Sequence, residues 1–144
     1  MTNRLNIVCI AVRDMTRSVR FYRDGLEFKT DETSDNPESI AFKNAGSQIQ
    51  LYPLDFILDD VYQGNPPNFF DGFNGITFEI LTTSKENVDK TVENAVKFGG
   101  KIVKKPQMLS WGGYNAYFTD PDGYLWEVTY CADFKFDDNG MLII

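Results

Sequence analysis

Chemistry in this chain has to be done without histidine, because none of its 144 residues is one. Histidine is the commonest side-chain metal ligand and the usual general base near neutral pH. Its absence excludes catalytic triads and helix-borne zinc motifs, and leaves carboxylates, tyrosine, lysine and cysteine. Cys9 and Cys131 are the only cysteines. Each sits in an apolar, strand-like run outside any Cys-x-x-Cys pair, so both read as small buried hydrophobes and not as redox or zinc residues. The most structured acidic motif is Asp120-Pro121-Asp122-Gly123, with Glu127 in the apolar run that follows. Asp to bond the backbone, Pro to preset φ and Gly to close suit a tight turn between two strands.

Charge narrows the ligands. With 14 basic against 21 acidic residues the net charge is −7, which disfavours nucleic acid, whose phosphates draw affinity from Lys and Arg. The same charge mildly favours cationic ligands. No run approaches the ~20 apolar residues of a membrane span. The first four residues lack the basic and apolar regions of a secretory signal, so the expected location is the cytoplasm.

The elements that must position these residues repeat. Residues 4–12 (RLNIVCIAV) are rich in β-branched side chains and predict a buried strand. Asp14 is a good N-cap for a helix over 15–23, with Met15, Val19 and Tyr22 on one face and Gly25 placed to end it. Strands over 26–30, 39–43 and 48–52 complete a βαβββ order. From Gly75 the order restarts: a strand over 75–81, a capping box Thr83-x-x-Glu86, and a helix whose stripe is Val88, Val92, Ala95 and Val96. Gly99-Gly100 ends that helix, and strands over 101–104, 114–119 and 124–131 follow. The repeat is also visible in residues. Phe42, Gly46, Ile49, Gln50 and Leu51 fall in register with Phe118, Gly123, Trp126, Glu127 and Val128, with one extra residue in the second turn.

Between the halves, 53–74 is long for a loop yet carries Leu54, Phe56, Ile57, Val61, Tyr62, Phe69, Phe70 and Phe73. It predicts a short helix near 55–62, then a Pro-rich aromatic segment over a cavity mouth, over a subunit interface or against the outer helices. In the tail, 132–144, Asp138-Asn139-Gly140 marks a hairpin turn.

Two βαβββ units in series, with VRDMTRSVRFYRDGLEF after the first strand and FTDPDGYLWEV before the end of the last, resemble the vicinal-oxygen-chelate superfamily of glyoxalases, bleomycin-resistance proteins and dioxygenases. The resemblance covers about residues 4–131. It implies an α+β fold, two tandem units of 4–52 and 75–131 forming a cupped mixed sheet within one domain over 1–144. Metal-dependent members place ligands on the first and last strands of each half, which the resemblance carries to Ile7, Gln50, Gly75 and Glu127. Two of these offer no side-chain donor and one is a neutral amide, so no metal and no cofactor is expected.

Strand alternation within that fold turns Gln50, Tyr52, Thr77, Glu79, Asn115, Tyr117 and Glu127 into the cup, with Ile7, Cys9, Ala11 and Thr129. Val8, Ile10, Val12, Ile49, Leu51, Ile76, Phe78, Ile80, Phe118, Trp126 and Val128 pack beneath the helices. A desolvated Glu127 or Glu79 could move a proton or hold a cationic group, or Glu127 could simply be satisfied by Gln50, Asn115 or Tyr117. Tyr52, Tyr117 and Trp111 could stack on a planar ligand. The resemblance therefore implies a metal-free small-molecule-binding protein, expected to be a homodimer. The alternatives are a lyase, isomerase or dioxygenase-like enzyme using Glu127, and an interaction module with a filled cup.

Overall fold

The computed structural model describes residues 5–63 and 74–143. Its contacts divide the chain into two units, Met1–Asp71 and Gly72–Ile144. The class is α+β, each unit opening with a strand and a helix and closing on a mixed sheet. Among the described residues no helix is long and apolar enough to cross a membrane.

In the first unit β1 (Ile7–Val12) pairs in parallel with β3 (Gln48–Pro53), which pairs antiparallel with β2 (Ile40–Phe42). Alternation along β1 separates buried Ile10 and Val12 from exposed Ile7 and Cys9, so Cys9 is not the buried residue its apolar run predicts. Asp14 does cap α1 (Met15–Val19), accepting from the Arg17 backbone N–H at 2.9 Å. The helix then widens into a π-helical stretch (Arg20–Gly25), closed by Leu26 N–H to Phe21 C=O. One extra residue per turn lets adjacent Phe21 and Tyr22 both reach the core. Tyr22, Phe28 and Phe42 form an aromatic cluster with centroids 5.8 Å apart.

Two details differ from expectation. Glu27, not Gly25, takes the left-handed backbone, at φ 61°. Residues 26–30 form no strand: Lys43 N–H bonds Lys29 C=O, but the Thr30 hydroxyl takes the Ala41 carbonyl that a ladder would use. The linker helix α2 (Leu54–Tyr62) packs on β3 and β1 and ends at Gln63 in the left-handed conformation. The rest of the aromatic segment, with Phe69, Phe70 and Phe73, lies outside the described residues.

The second unit sets β4 (Phe78–Thr82), β7 (Leu125–Tyr130), β6 (Tyr114–Thr119) and β5 (Lys101–Met108) side by side, with only β4 and β7 parallel. Between β4 and β5, α3 (Lys85–Lys97) packs across β5, β6 and β7. Its cap is Ser84, one residue later than the predicted box, accepting from Asn87 N–H at 3.2 Å. Val88, Val92 and Ala95 cover Ala116, Phe118, Trp126 and Val128, all buried; Val96 turns outward. Burying a large apolar side chain contributes about 1.5–3 kcal/mol, so these residues dominate the unit's stability. Ile76, predicted beneath a helix, is exposed because β4 begins only at Phe78.

The turn before β7 is built as its residues require. Asp120 Oδ1 accepts from the Asp122 and Tyr124 N–H groups at 2.9 and 2.8 Å, and Gly123 closes at φ 97°. In the tail Asp137 does the same for Asn139 and Met141, with a bridge between Phe136 and Leu142.

Candidate functional site

Directly opposed residues on neighbouring strands share a face of the sheet. In the second unit Lys104 opposes Tyr117, Tyr117 opposes Glu127, and Glu127 opposes Glu79; beside them Asn115 opposes Thr129. The face away from α3 thus carries one continuous polar row. Four of the residues expected to bind ligand meet there: Glu79, Asn115, Tyr117 and Glu127.

Glu127 is the hub. Its Oε1 accepts from Asn115 Nδ2 at 2.5 Å and Thr129 Oγ1 at 3.1 Å. Asn115 and Thr129 are buried, at 3% and 2% exposure, so both donors are held against the carboxylate. Desolvation and the neighbouring Glu127 and Glu79 carboxylates push the Tyr117 phenol up to about 12. It therefore stays a donor at neutral pH.

Glu79 stands one strand over. Partial burial and the charge of Glu127 raise its carboxyl above the ordinary range, with Thr129 pulling the other way.

Lys104 completes the row, and sequence reasoning missed it. Its Nζ donates to Asn115 Oδ1 at 2.8 Å and lies 5.4 Å from the Tyr117 ring centroid. Simple alternation from Lys101 would turn residue 104 toward α3. The pairing slips once between Ile102 and Lys104 and again between Lys104 and Gln107. Pro106, a residue that cannot donate to a ladder, was the available signal of an irregular edge strand.

The remaining expected residues lie elsewhere. Thr77 is exposed ahead of β4. Trp111 sits in the β5–β6 loop, 58% exposed, with its ring so close over Gly113 that a Cβ there would fall 2.2 Å from it. Gln50 and Tyr52 belong to the first unit, where Gln50 Nε2 donates to the Tyr52 hydroxyl at 3.3 Å and Tyr52 stacks on Phe56 at 5.5 Å. The first unit also holds an open depression of about 440 Å³ bordered by Thr30, Glu32, Ile40, Phe42 and Gln48, and crossed by the 2.5 Å Lys43–Asp31 ion pair.

Register also relocates the partners of the two last-strand positions. Gln50 is opposed by Cys9 and Ala41, as Glu127 is by Glu79 and Tyr117, so the internal repeat equates Cys9 with Glu79. Ile7 opposes Gln48 instead, and Gly75 precedes β4. Among the described residues no three His, Cys, Asp or Glu side chains come together to hold a metal ion. A divalent transition metal does not fit these donors, because Glu127 Oε1 is already taken by Asn115 and Thr129 and its strand neighbours supply no nitrogen or thiolate.

Known proteins share this plan. The uncharacterized protein YraH of Bacillus subtilis is 29% identical over 120 residues, covering 83% of this chain and 91% of its own. A lactoylglutathione lyase of Salmonella typhimurium is 26% identical over 134 residues, covering 90% and 94%. A glyoxalase-related enzyme from Fulvimarina pelagi has the same fold, with a TM-score of 0.85 at 21% identity over 99% of both chains. The model of the Glyoxalase/Bleomycin resistance protein/Dioxygenase superfamily matches residues 4–128, from ahead of β1 to within β7, and the chain belongs to that superfamily.

Proposed function

We propose that this protein is a metal-free small-molecule-binding member of its superfamily, and that the polar row of the second unit receives the ligand. One observation carries the reading: Glu127 accepts from two buried protein donors, Asn115 and Thr129. A carboxylate offers about four acceptor positions, so about two are left for an N–H or O–H from outside. Glu79 alongside favours a cationic donor. The same reading has the protein act in the cytoplasm as a homodimer, a state that light scattering after size exclusion tests directly.

The test is calorimetric titration with benzylammonium, beside neutral benzyl alcohol and a wider panel of cationic aromatic compounds and glutathione adducts. Binding of the cation, weakened at least tenfold by Glu127→Gln, is the expected result. Absence of binding by every compound points instead to an interaction module. Stoichiometric zinc, nickel or iron retained through purification without added metal overturns the metal-free reading.

A second reading is an isomerase or lyase. The raised carboxyl of Glu79 beside Glu127 favours it, since a group that keeps its proton next to one that accepts hydrogen bonds suits proton transfer. Formation of lactoylglutathione by the purified protein, lost in Glu79→Gln, would establish it.

A further inference from the structure

Two irregularities in β5 have one shared result. The residue sum of opposed pairs is constant along a regular antiparallel ladder; here Ile102 opposes Phe118, Lys104 opposes Tyr117 and Gln107 opposes Asn115, so β5 carries one extra residue on each side of Lys104. Such bulges re-aim a side chain. Without the first, Lys104 would oppose Ala116, which faces α3 and is fully buried. With it, Lys104 faces the polar row, and the bulged Val103 is left 59% exposed.

What Lys104 meets there is an amide with two different ends. Its ammonium donates to Asn115 Oδ1 at 2.8 Å, and Asn115 Nδ2 donates to Glu127 Oε1 at 2.5 Å. Asn115 is buried, so a half-turn of the amide would set Oδ1 against the carboxylate and Nδ2 against the ammonium, two contacts that repel. Cation and carboxylate together admit only one orientation.

We propose that Lys104 is a positioning residue of the ligand site: carried onto the polar face by the paired bulges, it commits the Asn115 amide to Glu127 and so fixes where the carboxylate's remaining acceptor positions point. The ring of Tyr117 under the ammonium holds the lysine in place. This inference rests on the ligand reading above for its effect on binding, and on the sheet alone for its effect on Asn115.

Two readouts separate those parts. In ¹⁵N spectra of the side-chain amides, Lys104→Met should move the Asn115 NH₂ pair and speed its exchange with solvent, while Lys104→Arg should leave it close to wild type. In titrations with benzylammonium at pH 8, Lys104→Met should weaken binding about tenfold, with Lys104→Arg restoring it. If the lysine acted only as a nearby positive charge, its removal would instead tighten binding of a cation, and that result overturns the proposal. So does an Asn115 amide pair unchanged in Lys104→Met. Failure of the wild type to bind benzylammonium counts against the ligand reading, and the Asn115 spectrum then decides the role of Lys104 by itself.

Discussion

Glu79 and Glu127 stand directly opposite each other on two adjacent parallel strands, with the Thr129 hydroxyl donating to Glu127 at 3.1 Å beside them. Their interaction makes opposite predictions for two substitutions. Glu127→Gln removes a repelling charge and should lower the Glu79 midpoint; Thr129→Val removes a donor and should raise it. Carboxyl ¹³C titration resolves both, and shifts of the same sign would refute this arrangement.

The same group gives the fold a pH dependence. The folded state raises the Glu79 pKa, so its stabilising contribution is full below the unfolded value and is lost as pH rises through the folded one. Glu79→Gln should therefore flatten the decline in melting temperature just above the ordinary carboxylate range. Melts across that window in wild type and variant provide the check.

Acid should act differently on the first unit. Arg23 binds Asp24 at 2.7 Å, Asp35 at 2.5 Å and the Ser34 carbonyl at 3.1 Å, and holds the Asp35 carboxyl below its usual range. A depressed carboxyl contributes above its unfolded pKa and stops contributing as pH falls through the folded value. Arg23→Ala should accelerate amide exchange across residues 31–38 at pH 7 and leave α3 unchanged. Equal exchange in that segment would show that the tether does not order it.

Gly113→Ala should displace the Trp111 ring, because a Cβ would fall 2.2 Å from it. The other tryptophan, Trp126, is 2% exposed and reports little on solvent. Acrylamide quenching should therefore rise in the variant through Trp111 alone, and unchanged quenching would place the ring elsewhere.

The two thiols should also separate. Cys9 is exposed and Cys131 buried, and partial desolvation pushes the Cys9 thiol up. A disulfide reagent should titrate one thiol in the native protein, faster with rising pH, and two after denaturation. Protection of both, or equal reaction of both, would contradict that assignment.

Much of this was legible in residue pattern. The Asp14 cap, the stripe of Val88, Val92 and Ala95, and the Asp120 turn each follow from local rules, and each is present. Alternation likewise brought Glu79, Asn115, Tyr117 and Glu127 to one face. What escaped depended on departures from period: the π-helical stretch that turns Phe21 and Tyr22 inward together, the Thr30 hydroxyl that replaces a ladder bond, and the bulges that reverse Lys104. Residue types announce a regular strand or helix, whereas an extra residue in either is decided by what it lets neighbouring side chains reach.

The two slips in β5 also cancel. Lys101 and Gln107 lie on the same face that an uninterrupted strand would give them, and only the stretch between is out of phase. Lys104 can therefore be addressed separately from the strand that carries it. Removing the surplus residue from each bulge would leave Lys101, Lys104 and Gln107 opposite Thr119, Tyr117 and Asn115 in an unbroken ladder.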